Sequence, residues 1–407
     1  MARIPFDHSL IRGSVAPGFE EVLSEFRENF TSRGEVGAAC AIYCRGEKVV
    51  DLWGGWRDPR RRSPWREDTL ILVFSATKGM AALALAVAHS RGLLEYDAPV
   101  ASYWPEFAAG GKEAVTVRQL LAHQAGLCAV RERLDAATLA DLDALAAILA
   151  RQTPAWPPGA RHGYHGLTIG WYEGELIRRV DPARRSLGRF FREEIAHPLG
   201  LEIHIGAPPD LPEGRLASIQ GFSPLRALFA SQLPAPFLRA LLNPFSLTHR
   251  ALLNPRFRSP SALGRPPYRS VEIPAGNGIA RVRSVAAAYG AFAAGGRALG
   301  VNAGTLAALA ESPSPPREGN VDSILGVPTC YSLGFLKPFA DFRFGSGGSS
   351  YGFPGMGGAM GFADPERQVG YAYAPSRSGL YLWDDPREKA LRDAFYRCLS
   401  AGDSRHA

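Results

Sequence analysis

Phe74-Ser75-Ala76-Thr77-Lys78 runs directly into the apolar stretch Gly79 to Ala88, and this junction carries most of the fold assignment. The apolar stretch reads as a helix from Thr77 to Ser90. A serine at a helix N-terminus meets unpaired backbone N–H groups, and the positive end of the dipole favours developing negative charge. Lys78, three residues on, shares the serine's helix face and can reach its oxygen. Burial pushes such an ammonium toward the neutral amine, which accepts a proton. The same four residues also fit an N-cap serine with a solvated lysine one turn later, so Ser-x-x-Lys needs company.

Two further motifs supply it. Gly163-Tyr164-His165-Gly166 opens a second helix, with Tyr164 lying 86 residues after Lys78. A phenol beside a lysine ionises more easily and can shuttle a proton, although a packing tyrosine at a helix start fits equally well. Gly352-Phe353-Pro354-Gly355-Met356-Gly357-Gly358 precedes a strand from Ala359 to Ala363. Glycine at a strand edge lets backbone approach a substrate, and its N–H groups can face an oxyanion; a tight turn is the plainer reading.

Working outward, Phe19, Val22, Leu23, Phe26 and Phe30 form one helix stripe that ends at Gly34. Val36 to Tyr43 and Glu47 to Trp53 read as strands turning at Arg45-Gly46. Near the C-terminus, Ser332 to Phe344, Ala359 to Ala363 and Gln368 to Ala374 read as strands, followed by a helix from Pro386 to Leu399. The fold class expected is α+β: one antiparallel sheet built from both ends of the chain, flanked by helices, with a mainly helical domain inserted. That domain carries helices at Thr77 to Ser90, Thr116 to His123, Ala136 to Arg151, Gly166 to Val180 and Ser186 to Ala196. The expected boundaries are 1–75 with 275–407 for the sheet domain, 76–205 for the helical domain and 206–274 for an insertion. Gly206 to Ala275 holds 12 of the 32 prolines, about twice the average density, yet many Leu and Phe. It reads as a lid rather than a disordered insertion.

Composition narrows the function. At 46% hydrophobic and 21% charged residues, the 407-residue chain is an ordinary globular protein. Its net charge of +7 raises nucleic acid as a partner. The basic runs, Arg57 to Arg62 and Arg178 to Arg185, are short and lack interleaved aromatics, so none is expected. Five cysteines, an odd number with no Cys-x-x-Cys, argue against a zinc site and a disulfide framework, and no metal is expected. No apolar run approaches the roughly 18 residues of a membrane span. Met1 to His8 contains no signal-like apolar core, so the cytoplasm is the expected compartment.

Taken in order, Ser-x-x-Lys, Tyr and the Gly-rich strand motif resemble the serine β-lactamase and penicillin-binding-protein superfamily. Leu120-Leu121-Ala122-His123-Gln124-Ala125-Gly126-Leu127, Pro274 to Ala280 and Gly361 to Pro365 extend the resemblance over most of the chain. Within the superfamily it looks most like family VIII carboxylesterases and class C β-lactamases. The resemblance implies Ser75 as nucleophile, Lys78 as its base partner, and Tyr164 as second base and then acid to the leaving alcohol. It implies an oxyanion hole from the N–H groups of Ser75 and Met356, with Gly355 allowing their approach. Gln124 takes the place of a polar pocket residue, and His165 that of a pocket-wall or hydrogen-bonding residue. No cofactor is implied.

Two departures set the substrate. The β-lactamases carry Asn two residues after the Tyr and Lys-Thr-Gly at the third motif; here those places hold Gly166 and Phe353-Pro354-Gly355. Both changes remove handles for a lactam's amide and carboxylate. Phe353 cannot hydrogen-bond, so Tyr164 must be tuned by Lys78, His165 or another group. The expected activity is hydrolysis of short-chain esters through an acyl-serine. The other readings are acyl transfer to a metabolite alcohol, a weak β-lactamase or DD-peptidase, and a non-catalytic scaffold. Gly348-Ser349-Ser350-Tyr351-Gly352 fits a nucleophile elbow, but it precedes a strand rather than a helix, so Ser350 is discounted. His123, His162 and His165 have no ligand spacing. Acyl length, enantioselectivity and oligomeric state are not legible.

Overall fold

The computed structural model describes residues 7–221 and 232–403. Its principal elements are β1 (Arg12–Val15), α1 (Glu20–Thr31), β2 (Gly37–Cys44), β3 (Glu47–Asp58), α2 (Thr77–Ser90), α3 (Thr168–Val180), α4 (Ala235–Leu242) and α5 (Leu247–Leu252). They continue with α6 (Val282–Ala293), α7 (Ala303–Ala310), β4 (Tyr331–Ser332), β5 (Phe335–Leu336), β6 (Tyr351–Gly355), β7 (Ala359–Asp364), β8 (Val369–Pro375) and α8 (Pro386–Asp403).

The strands form one antiparallel sheet in the order β1-β3-β2-β8-β7-β6-β5-β4, so the fold is the expected α+β class. Its seam is the pairing of β2 with β8, from Val369 opposite Cys44 to Pro375 opposite Ala38. Alternation along these two strands sorts residues by size. Cys40, Ile42, Val369, Tyr371 and Tyr373 pack on one face with Val22 and Phe26 of α1 and with Leu391 and Phe395 of α8. Ala41, Ala372 and Ala374 pack on the other with α2 and α6. The small residues let α6 sit close: a Cβ at Gly370 would stand 2.1 Å from the Gly290 nitrogen.

Several expected elements differ in detail. Ser332 to Phe344 is not one strand. Leu333 and Gly334 both adopt positive φ, 49° and 86°, and turn the chain back into a tight hairpin between β4 and β5. Ala136 to Arg151 breaks at Asp141, whose side chain accepts from the N–H groups of Asp143 and Ala144 and starts a second helix. The first four residues of the Gly-rich motif, Gly352 to Gly355, are themselves strand, in β6, and Met356 to Gly358 form the turn after it. Pro354 is tolerated there because β5 pairs with β6 at Gly352 and leaves the Pro354 side free of a ladder partner. Within the Pro-rich stretch, α4 and α5 pack against each other, and α5 reaches the Tyr164 region. Residues 222–231 of the expected lid lie outside the described residues.

Candidate active site

Ser75 sits in a tight turn, Phe74–Ala76, that leads into α2. Phe74 adopts φ +48°, an uncommon conformation for a bulky residue, and so lifts Ser75 out of the core to a partly exposed position. Three residues later Lys78 is fully buried. Its Nζ donates to the carbonyls of Gly166 (2.7 Å) and Ala275 (2.8 Å) and lies 3.3 Å from Ser75 Oγ. Tyr164 OH is 2.8 Å from the same Oγ. The structure therefore brings Ser75, Lys78 and Tyr164 together around one oxygen.

Desolvation pushes the Lys78 ammonium down to about 7. Glu173 of α3, whose charge would oppose that shift, is itself fully buried and held well above the usual carboxylate range by desolvation. A neutral amine has two N–H donors and one lone pair. Two carbonyls take the donors, which leaves the lone pair for the Ser75 hydroxyl. An ammonium would donate to all three oxygens, so Lys78 can take up a proton without losing a bond. The phenol behaves differently from expectation: burial pushes Tyr164 up, outweighing its hydrogen bond with Ser75. Tyr164 is thus a neutral donor near pH 7, and Lys78 is the group poised to accept.

Phe353 stands beside this pair. Its ring stacks with Tyr164 at 6.1 Å and with Tyr331 at 6.5 Å, and Lys78 Nζ lies 5.3 Å from its centroid. Nζ is also 4.8 Å from the Tyr164 centroid, so two ring faces support the ammonium where no carboxylate does. Gly355 ends β6 against the serine turn: a Cβ there would meet Val73 O at 2.3 Å. Met356 follows, 46% exposed, in a turn completed by Gly357 and Gly358.

Two expected pocket residues are engaged elsewhere. His165 is fully buried; its Nδ1 donates to Gly163 O (2.6 Å) and its Nε2 accepts from Leu127 N (3.0 Å). Burial pulls it down to about 4, so it is a neutral brace for the Tyr164 loop and has no face for substrate. His123 Nδ1 accepts from His165 N and extends that brace. The Gln124 amide donates to Ser314 O at 2.8 Å, which commits one of its two N–H groups to the backbone. Ser350 is fully buried and its Oγ has no partner among the described residues, so it offers no exposed nucleophile.

Two contributors escaped the sequence reading. Asp322 Oδ1 accepts from the N–H groups of Tyr164 (3.1 Å), Ile324 (2.7 Å) and Leu325 (2.8 Å), and its Oδ2 accepts from Tyr331 OH (3.0 Å). It fixes both the Tyr164 backbone and the ring stacked on it. The local half of this pattern, an aspartate bonded to N–H groups two and three residues on, is readable as an Asx turn; the bond to Tyr164 across 158 residues is not. Leu252 of α5 is the other. A Cβ at Gly166 would stand 2.5 Å from its Cδ2 and 3.7 Å from Tyr164 Cε1, so Leu252 occupies the space that Gly166 leaves open.

A model of the beta-lactamase family matches residues 19–393, and the chain belongs to that family. It superposes on a family VIII carboxylesterase with a TM-score of 0.84 and 37% identity, covering 95% of this chain and 99% of that one. A penicillin-binding-protein homologue from Caulobacter crescentus matches with a TM-score of 0.80 and 35% identity over 95% and 99%. The protein named esterase/beta-lactamase LipL of Mycobacterium tuberculosis is 35% identical over 90% of this chain and 82% of its own length. The fold is the one shared by esterases and beta-lactamases of the serine-hydrolase superfamily. Among the described residues no helix is long and apolar enough to cross a membrane.

Proposed function

We propose that this protein is a carboxylesterase that cleaves short-chain esters through an acyl-Ser75 intermediate. The observation that carries the reading is Ser75 Oγ held between a buried amine and a phenol, 3.3 Å from Lys78 Nζ and 2.8 Å from Tyr164 OH. Lys78 takes the hydroxyl proton as Oγ bonds to the ester carbonyl carbon. The N–H groups of Ser75 and Met356 receive the oxyanion. As the tetrahedral intermediate collapses, Tyr164 gives its proton to the leaving alkoxide and is reprotonated by the Lys78 ammonium. Water then attacks the acyl carbon, and its proton passes back through the same pair to Ser75 Oγ.

The substrate class follows from the polar inventory. A lactam brings a carboxylate and an amide, and a desolvated carboxylate without a donor costs on the order of 2 kcal/mol or more. Leu252 and the exposed Met356 present apolar surface, which suits a small acyl or alkyl group, and the buried Phe353 ring behind Tyr164 offers neither charge nor hydrogen bond. The test is mass spectrometry after a fluorophosphonate probe, together with rates on p-nitrophenyl acetate, p-nitrophenyl butyrate and nitrocefin. An adduct on Ser75, fast ester turnover and slow nitrocefin turnover are expected. An unlabelled Ser75, or efficient saturable cephalosporin hydrolysis, overturns the reading.

A further inference from the structure

The turn Met356-Gly357-Gly358 has little rigidity of its own. Gly357 and Gly358 take φ of 87° and 104°, and glycine loses the most conformational freedom when fixed. Met356 is half exposed. Order must come from behind the turn, where α8 begins.

Arg387, in the first turn of α8, is buried and donates all five of its N–H groups. Nε goes to Asp385 Oδ1 (2.9 Å), and one terminal nitrogen goes to Asp385 Oδ2 (2.7 Å) and Gly357 O (3.0 Å). The other goes to Glu35 Oε2 (3.2 Å) and Arg377 O (2.8 Å). Gly357 O also accepts from Gly379 N at 3.0 Å. Asp385 packs beneath the next residue, since a Cβ at Gly358 would stand 2.7 Å from its Oδ2. Glu35 in turn accepts from Tyr373 OH on β8, which ties the clamp to the centre of the sheet. On the turn's other side, Gly355 packs on the Ser75 turn through Val73 O.

We infer that Arg387 is a positioning residue for ester cleavage: by holding Gly357 O it fixes the Met356 N–H against the oxyanion that forms at Ser75. The inference rests on the acyl-Ser75 reading above. A lysine has three donors and no planar fork, so it cannot serve Asp385, Glu35, Arg377 and Gly357 together.

The experiment measures kcat, KM and inhibition by a small alkylboronic acid, which adopts the tetrahedral geometry of the intermediate, for the wild type, Arg387→Lys and Asp385→Asn. Arg387→Lys should lower kcat by about tenfold to a hundredfold, leave KM within about threefold and weaken the boronic acid in step with kcat. Asp385→Asn should move the same quantities by less. Unchanged kcat and boronate affinity in folded variants overturn the inference, as does a change confined to KM. Outright unfolding of Asp385→Asn also counts against it, because the network would then serve the fold rather than the turn. A wild type that neither hydrolyses esters nor labels at Ser75 fails the underlying reading instead, and so is told apart.

Discussion

Lys78 and Lys337 are both fully buried lysines whose ammonium groups face backbone carbonyls. Lys337 Nζ donates to Leu309 O (2.9 Å), Ala310 O (3.3 Å) and Ser349 O (3.1 Å), lies 5.6 Å from the Tyr351 ring, and is pushed down by burial to about 8. Lys78 has two carbonyls, two rings and a similar downward push. They differ in the third partner and in the dipole. Two of the carbonyls around Lys337 belong to the last turn of α7, the negative helix end, which favours an ammonium. Lys78 lies at the positive end of α2, and its third neighbour is a hydroxyl. Burial among carbonyls at a helix C-terminus makes Lys337 a strut; burial at a helix N-terminus beside a hydroxyl leaves the Lys78 amine within reach of a proton to accept.

The sharpest way to break this contrast is to remove each amine. Lys78→Met should lower kcat for p-nitrophenyl butyrate on the order of 10³-fold or more while the protein still folds. Lys337→Met should keep kcat within about threefold but lower the melting temperature, since each carbonyl left without a donor costs about 1–3 kcal/mol. A stable Lys337→Met protein with kcat abolished would erase the distinction. Tyr164→Phe should cost most of the activity, and adding Lys78→Met should cost little more, because the two act as one proton-transfer unit. Losses that add on a log scale would separate them into independent steps.

The next effect is on pH. Lys78 must be an amine to act, so kcat/KM should rise as pH passes about 7 and reach a plateau above it. A flat profile from pH 5 to 9 would contradict a lysine base. For stability the sign runs the same way in both lysines. Their folded values lie below the unfolded value near 10.4, so the unfolded chain binds more protons in between, and stability rises with pH across that window. Lys78→Met should flatten this rise. Smallest is the effect of Leu252→Ala: opening the space beside Gly166 should raise the hexanoate-to-acetate rate ratio by about tenfold. An unchanged ratio would remove Leu252 from the acyl wall.

What the sequence disclosed follows the range of the interactions. The stripe from Phe19 to Phe30, the Arg45-Gly46 turn and the Ser75–Lys78 spacing are local, and each stands where its period or turn chemistry puts it. Both residues of that turn take positive φ, as a two-residue hairpin demands. A histidine beside a site tyrosine looks the same in sequence whether its ring lines a pocket or makes hydrogen bonds; of these two readings of His165, its bonds to Gly163 and Leu127 match the second. Asp322, Leu252 and Arg387 were missed because their partners lie far along the chain, and no spacing rule joins an α8 guanidinium to a carbonyl in a glycine turn. The Tyr164 shift was misread in direction because desolvation of a phenol depends on what packs over it.

The seam between β2 and β8 also sets when the sheet can close during synthesis. Tyr373 and Glu35, bonded across it, are 338 residues apart. At roughly 5–20 residues per second, strand β2 waits on the order of 17–70 s for its partner. Between the synthesis of α2, which ends at Ser90, and that of β6, which begins at Tyr351, Ser75 and Lys78 are in the chain without the strand that packs on the Ser75 turn. The edge of β2 that β8 will cover is open to wrong pairing in that time.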